Sequence, residues 1–382
     1  MGTDVRAVVE GNNRFALDLY AQLRADQPGN LFFSPGSLST ALGMTYAGAR
    51  GDTEPQMAKV LHFTLPQEKL HPAFASLNPT WNPDGKRRGY RLSVANRLWG
   101  QEGFRFLPEF LAITREDYGA ELAQVDFGSQ TEQARQRINA WVEEQTQGKI
   151  RDLIPSGALN SLSRLVLTNA IYFKGDWTKP FDKGDTKDAP FHVTTRQTFD
   201  VPMMYQESRF PFWAGEFLKI LELPYGTGDL SIMVLLPDEI EGLAKLEARL
   251  TDDNLTRWLS GLRREKVRVY LPRFKLTSQF QLASTLKNLG MTLAFLSDEA
   301  DFSGMDGKQD LFISAVLHKA FVDVNEEGTE AAAATGIVVG ATAVLIPKEP
   351  PVFRADHPFV FLIRDNRTES ILFLGRLVNP QG

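Results

Sequence analysis

A single α+β domain is what the sequence predicts, and three observations predict it. Amphipathic helical periods concentrate in the first part of the chain. Continuous or alternating apolar runs of strand length dominate the later part, without a regular βαβ repeat. No Gly/Ser/Pro linker and no internal repeat divides the 382 residues.

The elements follow in chain order. Phe15, Leu17, Leu19, Tyr20 and Leu23 form an apolar stripe that alternation would not produce, so the chain opens with a helix. A second helix is expected from Ser34-Pro35 through SLSTALGMTYAGA, with a hydroxyl at its start to cap it. Ile138, Trp141 and Val142 stand at helical spacing in TEQARQRINAWVEEQTQ (131–147), which Gly148 ends. LVLTNAIYF (165–173) is almost continuously apolar, as a strand buried on both faces would be, with one Asn inside it. LSIMVLLP (230–237) follows the turn sequence GTGD and reads as a hairpin arm. VRVYLPRF (267–274) alternates over its first five residues, and FVFLIRDNRTESILFLGRLV reads as a second hairpin.

Composition narrows the function. A hydrophobic content of 43% and a charged content of 23% describe a globular chain with ample core. The net charge of −5, with both signs interspersed, leaves no footprint for nucleic acid. Lys86-Arg87-Arg88, between Gly85 and Gly89, reads as a solvated turn. The absence of cysteine removes disulfides, thiolate metal sites and thiol nucleophiles. MGTDVRAVVEGNNRF lacks the pattern of a signal peptide, so the chain is cytoplasmic as it stands or has lost a leader.

A search for catalysis returns nothing. His62, His71, His192, His318 and His357 form no HExxH pattern, and no two are spaced as metal ligands on one helical face. No GxSxG, GxxxxGK[ST] or GxGxxG motif is present, and no cofactor is expected.

The unusual segment is GTEAAAATGIVVGATAVLIPKEPP, residues 328–351. Ala331 to Ile346 carries no charge and no large polar group. At sixteen residues, with Ala, Gly and Thr throughout, it is too short to cross a bilayer, and no membrane association is expected. A buried core element would explain the apolarity but not the passage from Ala to β-branched residues and then to IPKEPP. A loop that must enter a sheet as a strand explains both. One parity presents Thr329, Ala331, Ala333, Thr335, Ile337 and Val339, all uncharged; the other presents Glu330, Ala332, Ala334, Gly336, Val338 and Gly340.

With its flank, VNEEGTEAAAATG resembles the reactive-loop hinge of the serpins, the serine protease inhibitor superfamily. NLFFSPGSLSTALGMTYAGARGDT, INAWVEEQTQGKIRDLIPSGALNSLSRLVLTNAIYFKGDWTKPF, VPMM, HKAFVDVNEEGTEA and FRADHPFVFLI are similar to serpin signatures in the same order, across essentially the whole chain. The resemblance implies one domain, 1–382, of about nine helices around three β-sheets, with an exposed reactive-centre loop at about 328–351. It implies a monomer with a target serine protease as covalent partner. The protease attacks the loop, and the cleaved loop inserts into the main sheet, a mode that is a standard example of strand addition. A non-inhibitory carrier or chaperone, and a cross-class inhibitor of cysteine proteases, are the alternatives.

By resemblance, Glu326, Glu327, Gly328 and Thr329 match the hinge, continuing through Glu330, Ala331, Ala332, Ala333, Ala334 and Thr335. The scissile bond falls about sixteen residues after Glu326, at Thr342-Ala343. The span from Gly328 to Phe353 is about two residues longer than in many members, so Ala341, Val344 and Leu345 are alternatives. No Lys or Arg lies between Ala331 and Pro347, which suits elastase-like or subtilisin-like targets rather than trypsin-like ones. Ser34, Ser37, Asn169 and His318 match a polar shutter under the main sheet. Trp177 and Arg273 match the breach where the loop enters, and Arg273 and Glu326 fall where family members can place a charge pair at the top of the sheet.

Overall fold

The computed structural model describes residues 1–81, 89–329 and 349–381. A helical layer comes first: α1 (Thr3–Asp26), strand β1 (Leu31–Phe33), α2 (Pro35–Tyr46), α3 (Thr53–Val60) and α4 (Gln67–Trp81). Strand β2 (Tyr90–Gln101), α5 (Pro108–Glu116), β3 (Ala123–Val125), α6 (Phe127–Gln145) and β4 (Leu165–Asp176) follow. Four strands then run in succession, β5 (Lys187–Thr194), β6 (Gln197–Ala214), β7 (Leu218–Tyr225) and β8 (Leu230–Pro237). Helices α7 (Leu243–Ala248) and α8 (Asp252–Ser260) lead to β9 (Arg263–Pro272) and β10 (Phe274–Gln281). After α9 (Ala283–Asn288) and α10 (Ser303–Asp306) come β11 (Ile313–Val324) and the two-residue β12 (Gly328–Thr329). Strands β13 (Val352–Arg354), β14 (Phe359–Asp365) and β15 (Ile371–Leu377) complete the chain.

The expected helices and hairpins form for the anticipated reasons. Ser34 Oγ accepts from the Ser37 amide at 3.3 Å and caps α2. Val267, Val269 and Leu271 of β9 are buried on alternating positions. VRVYLPRF, however, is not one strand. β9 ends at Pro272 and β10 begins at Phe274, so the chain passes through Arg273 from one sheet to the other, the Arg273 amide still donating to the Pro202 carbonyl at 2.9 Å.

Two hydrogen-bonded sheets result. One runs β10-β11-β4-β2-β3, with β12 added against β4. The other runs β1-β15-β14-β8-β7-β6-β9-β13, with β5 on β6. The expected second and third sheets are continuous here because the end of β6 pairs with β7 at Phe212–Leu221, Trp213–Ile220 and Ala214–Lys219.

The first sheet separates two apolar cores. Leu165, Leu167, Ile171 and Phe173 of β4 join the main core with α1, α2 and the second sheet. Val166, Ala170 and Tyr172 face the other way, against Phe127, Ile138 and Val142 of α6. The two faces of one strand thus belong to different packing units, which is why LVLTNAIYF shows no alternation.

The chain ends are tied together by a buried ion pair. Arg376 on β15 donates to Glu247 on α7 at 2.8 Å, with side chains only 5% and 7% exposed. Tyr20 donates to the same carboxylate at 2.7 Å, and Arg24 lies 3.3 Å from it. Arg376→Met leaves Glu247 buried with weaker partners and should lower the unfolding free energy by about 3 kcal/mol. A urea titration should show a lower midpoint with an unchanged slope.

Candidate functional site

The site is a seam. β11 and β4 lie side by side in parallel, with Leu317 opposite Thr168 and His318 opposite Asn169. At the upper end of β11 the chain reverses through 325–328, where Asn325 and Gly328 form a bridge. β12 then runs back antiparallel to β4, with Gly328 opposite Asp176 and Thr329 opposite Gly175.

Only glycine fits at 328. Its φ of +134° suits no L side chain, and a Cβ there would stand 2.1 Å from the Gly175 carbonyl oxygen. Glycine at 328, which the resemblance assigns to a hinge, is thus required by the local backbone.

The mouth of the seam is built around two side chains. Trp177 is buried and stacks on Tyr225 at 4.4 Å and 12°, while its indole N–H donates to the Asn325 carbonyl at 2.8 Å. The amides of Trp177 and Phe181 donate to the carbonyls of Glu327 and Glu326, at 2.9 and 2.8 Å. Arg273 and Glu326 do form a charge pair, and its carboxylate is buried. The Glu326 side chain is 2% exposed and receives Arg273 Nε on both oxygens at 2.7 Å, plus Nη2 and the Thr186 hydroxyl. Burial works to raise this carboxyl's pKa, but the hydrogen bonds from Arg273 and Thr186 outweigh burial and hold it below its ordinary value. Glu327, next along, pairs with Lys183. Sequence reading missed Thr186, Lys183 and Tyr225, since only the folded chain brings them to the turn.

Below the mouth, the four expected polar residues meet. His318 Nδ1–H donates to Asn169 Oδ1 at 2.5 Å, and His318 Nε2 accepts from the Ser34 amide at 3.1 Å. One nitrogen donates and the other accepts, so the ring is neutral. Asn169 donates to Ser37 Oγ at 2.8 Å and to Asn96 Oδ1 at 2.5 Å, and Ser37 Oγ donates to Asn96 Oδ1 at 3.2 Å. Asn96, on β2, is a fifth member that the sequence does not single out. Ser34 Oγ donates to the Leu372 carbonyl at 2.6 Å rather than to the histidine. Although a serine and a histidine adjoin, the imidazole therefore activates no nucleophile. The cluster ties α2, β2, β4, β11 and β15 at one point.

The remaining expected residues cannot be placed. Glu330 to Thr335, the scissile candidates Ala341, Thr342, Ala343, Val344 and Leu345, and Lys86-Arg87-Arg88 lie outside the described residues. No group of three His, Cys, Asp or Glu residues among the described residues could hold a metal, and no described helix is long and apolar enough to cross a membrane.

Burial pushes the His318 pKa down from 6.5 to about 3. Between those values the unfolded chain binds a proton that the folded ring excludes. His318's share of stability is therefore complete above pH 6.5 and lost as pH falls toward 3. From pH 6.5 to 5 this share is on the order of 2 kcal/mol. Denaturant midpoints should fall with acid over that interval, and less steeply in His318→Gln. At the mouth, Arg273→Ala should destabilise the native form by about 1–2 kcal/mol, discounted because Arg273 is partly exposed. Arg273→Lys should restore only part of that, lacking the forked donors; thermal unfolding reads both.

Comparison with known proteins agrees with this architecture. Residues 10–380 match the family model described as Serpin (serine protease inhibitor). The bovine leukocyte elastase inhibitor is 52% identical over 378 residues, covering 97% of this chain and 98% of the relative. The porcine protein of the same name is 51% identical over 379 residues, covering 97% and 98%. The crystal structure of Serpin48 from the insect Tenebrio molitor superimposes with a TM-score of 0.89 at 36% identity, covering 99% of this chain and all of that one. A family-model match over residues 10–380, with relatives about half identical over nearly the whole chain, shows that the chain belongs to the serpin family.

Proposed function

We propose that this chain is a suicide-substrate inhibitor of elastase-like serine proteases, acting as a monomer. The protease serine attacks the scissile carbonyl, the C–N bond breaks, and the new amine leaves with a proton supplied by the protease. The acyl-linked segment then enters the seam between β4 and β11 before water can hydrolyse the ester. The inhibitor itself needs no catalytic group, in keeping with the inactive Ser34–His318 pair.

The observation that carries this reading is the register of β12. Pairing Gly328 with Asp176 and Thr329 with Gly175, continued along β4, sets Thr335 opposite Asn169. The Asn325–Gly328 bridge, continued along β11, sets Thr335 opposite His318. Both flanks name the same residue, so one strand would fit between them, antiparallel to each. Ala331, Ala333, Thr335, Ile337 and Val339 would then share a face with Phe173, Ile171, Asn169, Leu167 and Leu165, toward the main core. Glu330 would lie opposite Lys174 on the other face. On this reading the uncharged parity read from the sequence would be the inward one.

Ladder bonds on both edges of such a strand, at about 1 kcal/mol net each, supply on the order of 10 kcal/mol. At about 3.3 Å per residue, insertion carries the acyl-enzyme roughly 40–50 Å. The target class rests on the small and apolar residues of 331–346 and on relatives named leukocyte elastase inhibitors.

Incubation with an elastase-like and a subtilisin-like protease, followed by denaturing electrophoresis and mass spectrometry, tests this. A covalent band is expected, and the mass of the released C-terminal peptide identifies the bond among positions 341–345. Clean cleavage without a complex, by every protease tried, would overturn the reading. Thr329→Arg puts a charge on the entering face and should turn the inhibitor into a substrate, cleaved at least tenfold more often than it traps.

A further inference from the structure

The sequence holds eight methionines and no cysteine, so every sulfur atom sits in a thioether. Met1 is 58% exposed. The other seven are at most 3% exposed and belong to the main core. Met44 and Met57 are on α2 and α3, Met291 follows α9, and Met305 is on α10. Met305 is packed so closely that a Cβ at Gly48 would stand 2.1 Å from its Cγ. The remaining three, Met203, Met204 and Met233, lie on β6 and β8 of the second sheet.

The first sheet has none. No sulfur occurs in β2, β3, β4, β10, β11 or β12, and none occurs in 325–351, the turn and the segment after it. Parting β4 from β11 would therefore uncover no sulfur on either strand. Hydrogen peroxide oxidises a thioether by giving up one oxygen: its O–O bond breaks, a sulfoxide forms and water leaves. The reaction follows exposure, so in the folded chain it reaches Met1. A sulfoxide in the loop would set a polar group where an elastase-like protease takes a small apolar side chain. One in the core would bury that group among apolar neighbours.

We propose, on the inhibitory reading above, that peroxide leaves trapping intact and that the inhibitor therefore acts where exposed thiols and thioethers are consumed. The scissile region, 341–345, offers the oxidant no sulfur to attack. The seam carries none to be exposed as it opens, and the seven core methionines are shielded for as long as the chain is folded. Met1 precedes α1 and forms no part of the mouth, the polar cluster or the seam. Its sulfoxide is a surface change with no bearing on insertion. Shielding belongs to the fold rather than to the residues, so an unfolded chain should lose it.

The folded protein is treated with millimolar hydrogen peroxide, catalase removes the excess, and an elastase-like protease is then added. Mass spectrometry should find one added oxygen, at Met1, in the folded chain and eight in the chain oxidised in urea. The yield of covalent complex and the cleaved-to-trapped ratio should change less than twofold. Sulfoxide at any core methionine of the folded chain, or loss of the complex after treatment, overturns the proposal. Ala341→Met, Thr342→Met, Ala343→Met, Val344→Met and Leu345→Met test the part played by the loop. At least one of them should trap before peroxide and at least tenfold less after it, because one places a thioether at the bond attacked. If all five keep trapping after oxidation, a sulfur-free loop is not what protects the inhibitor. If the untreated protein forms no covalent complex, the inhibitory reading fails, and the sulfoxide count still decides whether the fold shields its methionines.

Discussion

The parallel pairing of β4 with β11 constrains everything around it. Two long buried strands meet with no strand between them, and the hydrogen bond that crosses their centre joins a neutral histidine to an asparagine at 2.5 Å. A buried imidazole must have both nitrogens satisfied, so Ser34 offers its amide from the start of α2 and Asn169 offers its carbonyl oxygen from β4. The start of α2, the register of β2 through Asn96, and the position of β15 through Leu372 all answer to that requirement.

The same seam explains the chemistry at its mouth. A chain reversing from β11 onto β4 has to pass close to the β4 backbone, which confines position 328 to glycine. It also leaves Glu326 inside the turn, where a carboxylate survives only because Arg273 and Thr186 donate to it. The buried charge and the glycine are two consequences of one reversal. Trp177 seals the point from the side, stacked on Tyr225 and bonded to the carbonyl of Asn325.

Inhibition by this route depends on the native state not being the most stable one. The closed seam is a parallel ladder from Ile313–Leu165 to Phe321–Tyr172 with apolar cores on both faces, and an incoming strand would replace that ladder with antiparallel pairing on each side. Relatives that share nearly the whole chain carry the name of a protease inhibitor, and the short hairpin 325–329 brings the described chain back alongside β4 at the end of the seam.

Much of this was legible in the chain alone. Local chemistry determined the capped start of α2, the doubly buried strand 165–173, the two hairpins and the uncharged parity of the segment after Gly328, since each follows from spacing and side-chain type. The family resemblance, carried by long motifs in order, named Ser34, Ser37, Asn169, His318 and Trp177. Tertiary structure decided the rest. It alone brought Asn96 into the polar cluster and buried Glu326 beneath the forked donors of Arg273. It joined two expected sheets into one and broke β9 from β10 at Pro272. Burial and partnership across 50 to 300 residues of separation depend on how strands stack, and no local spacing encodes that.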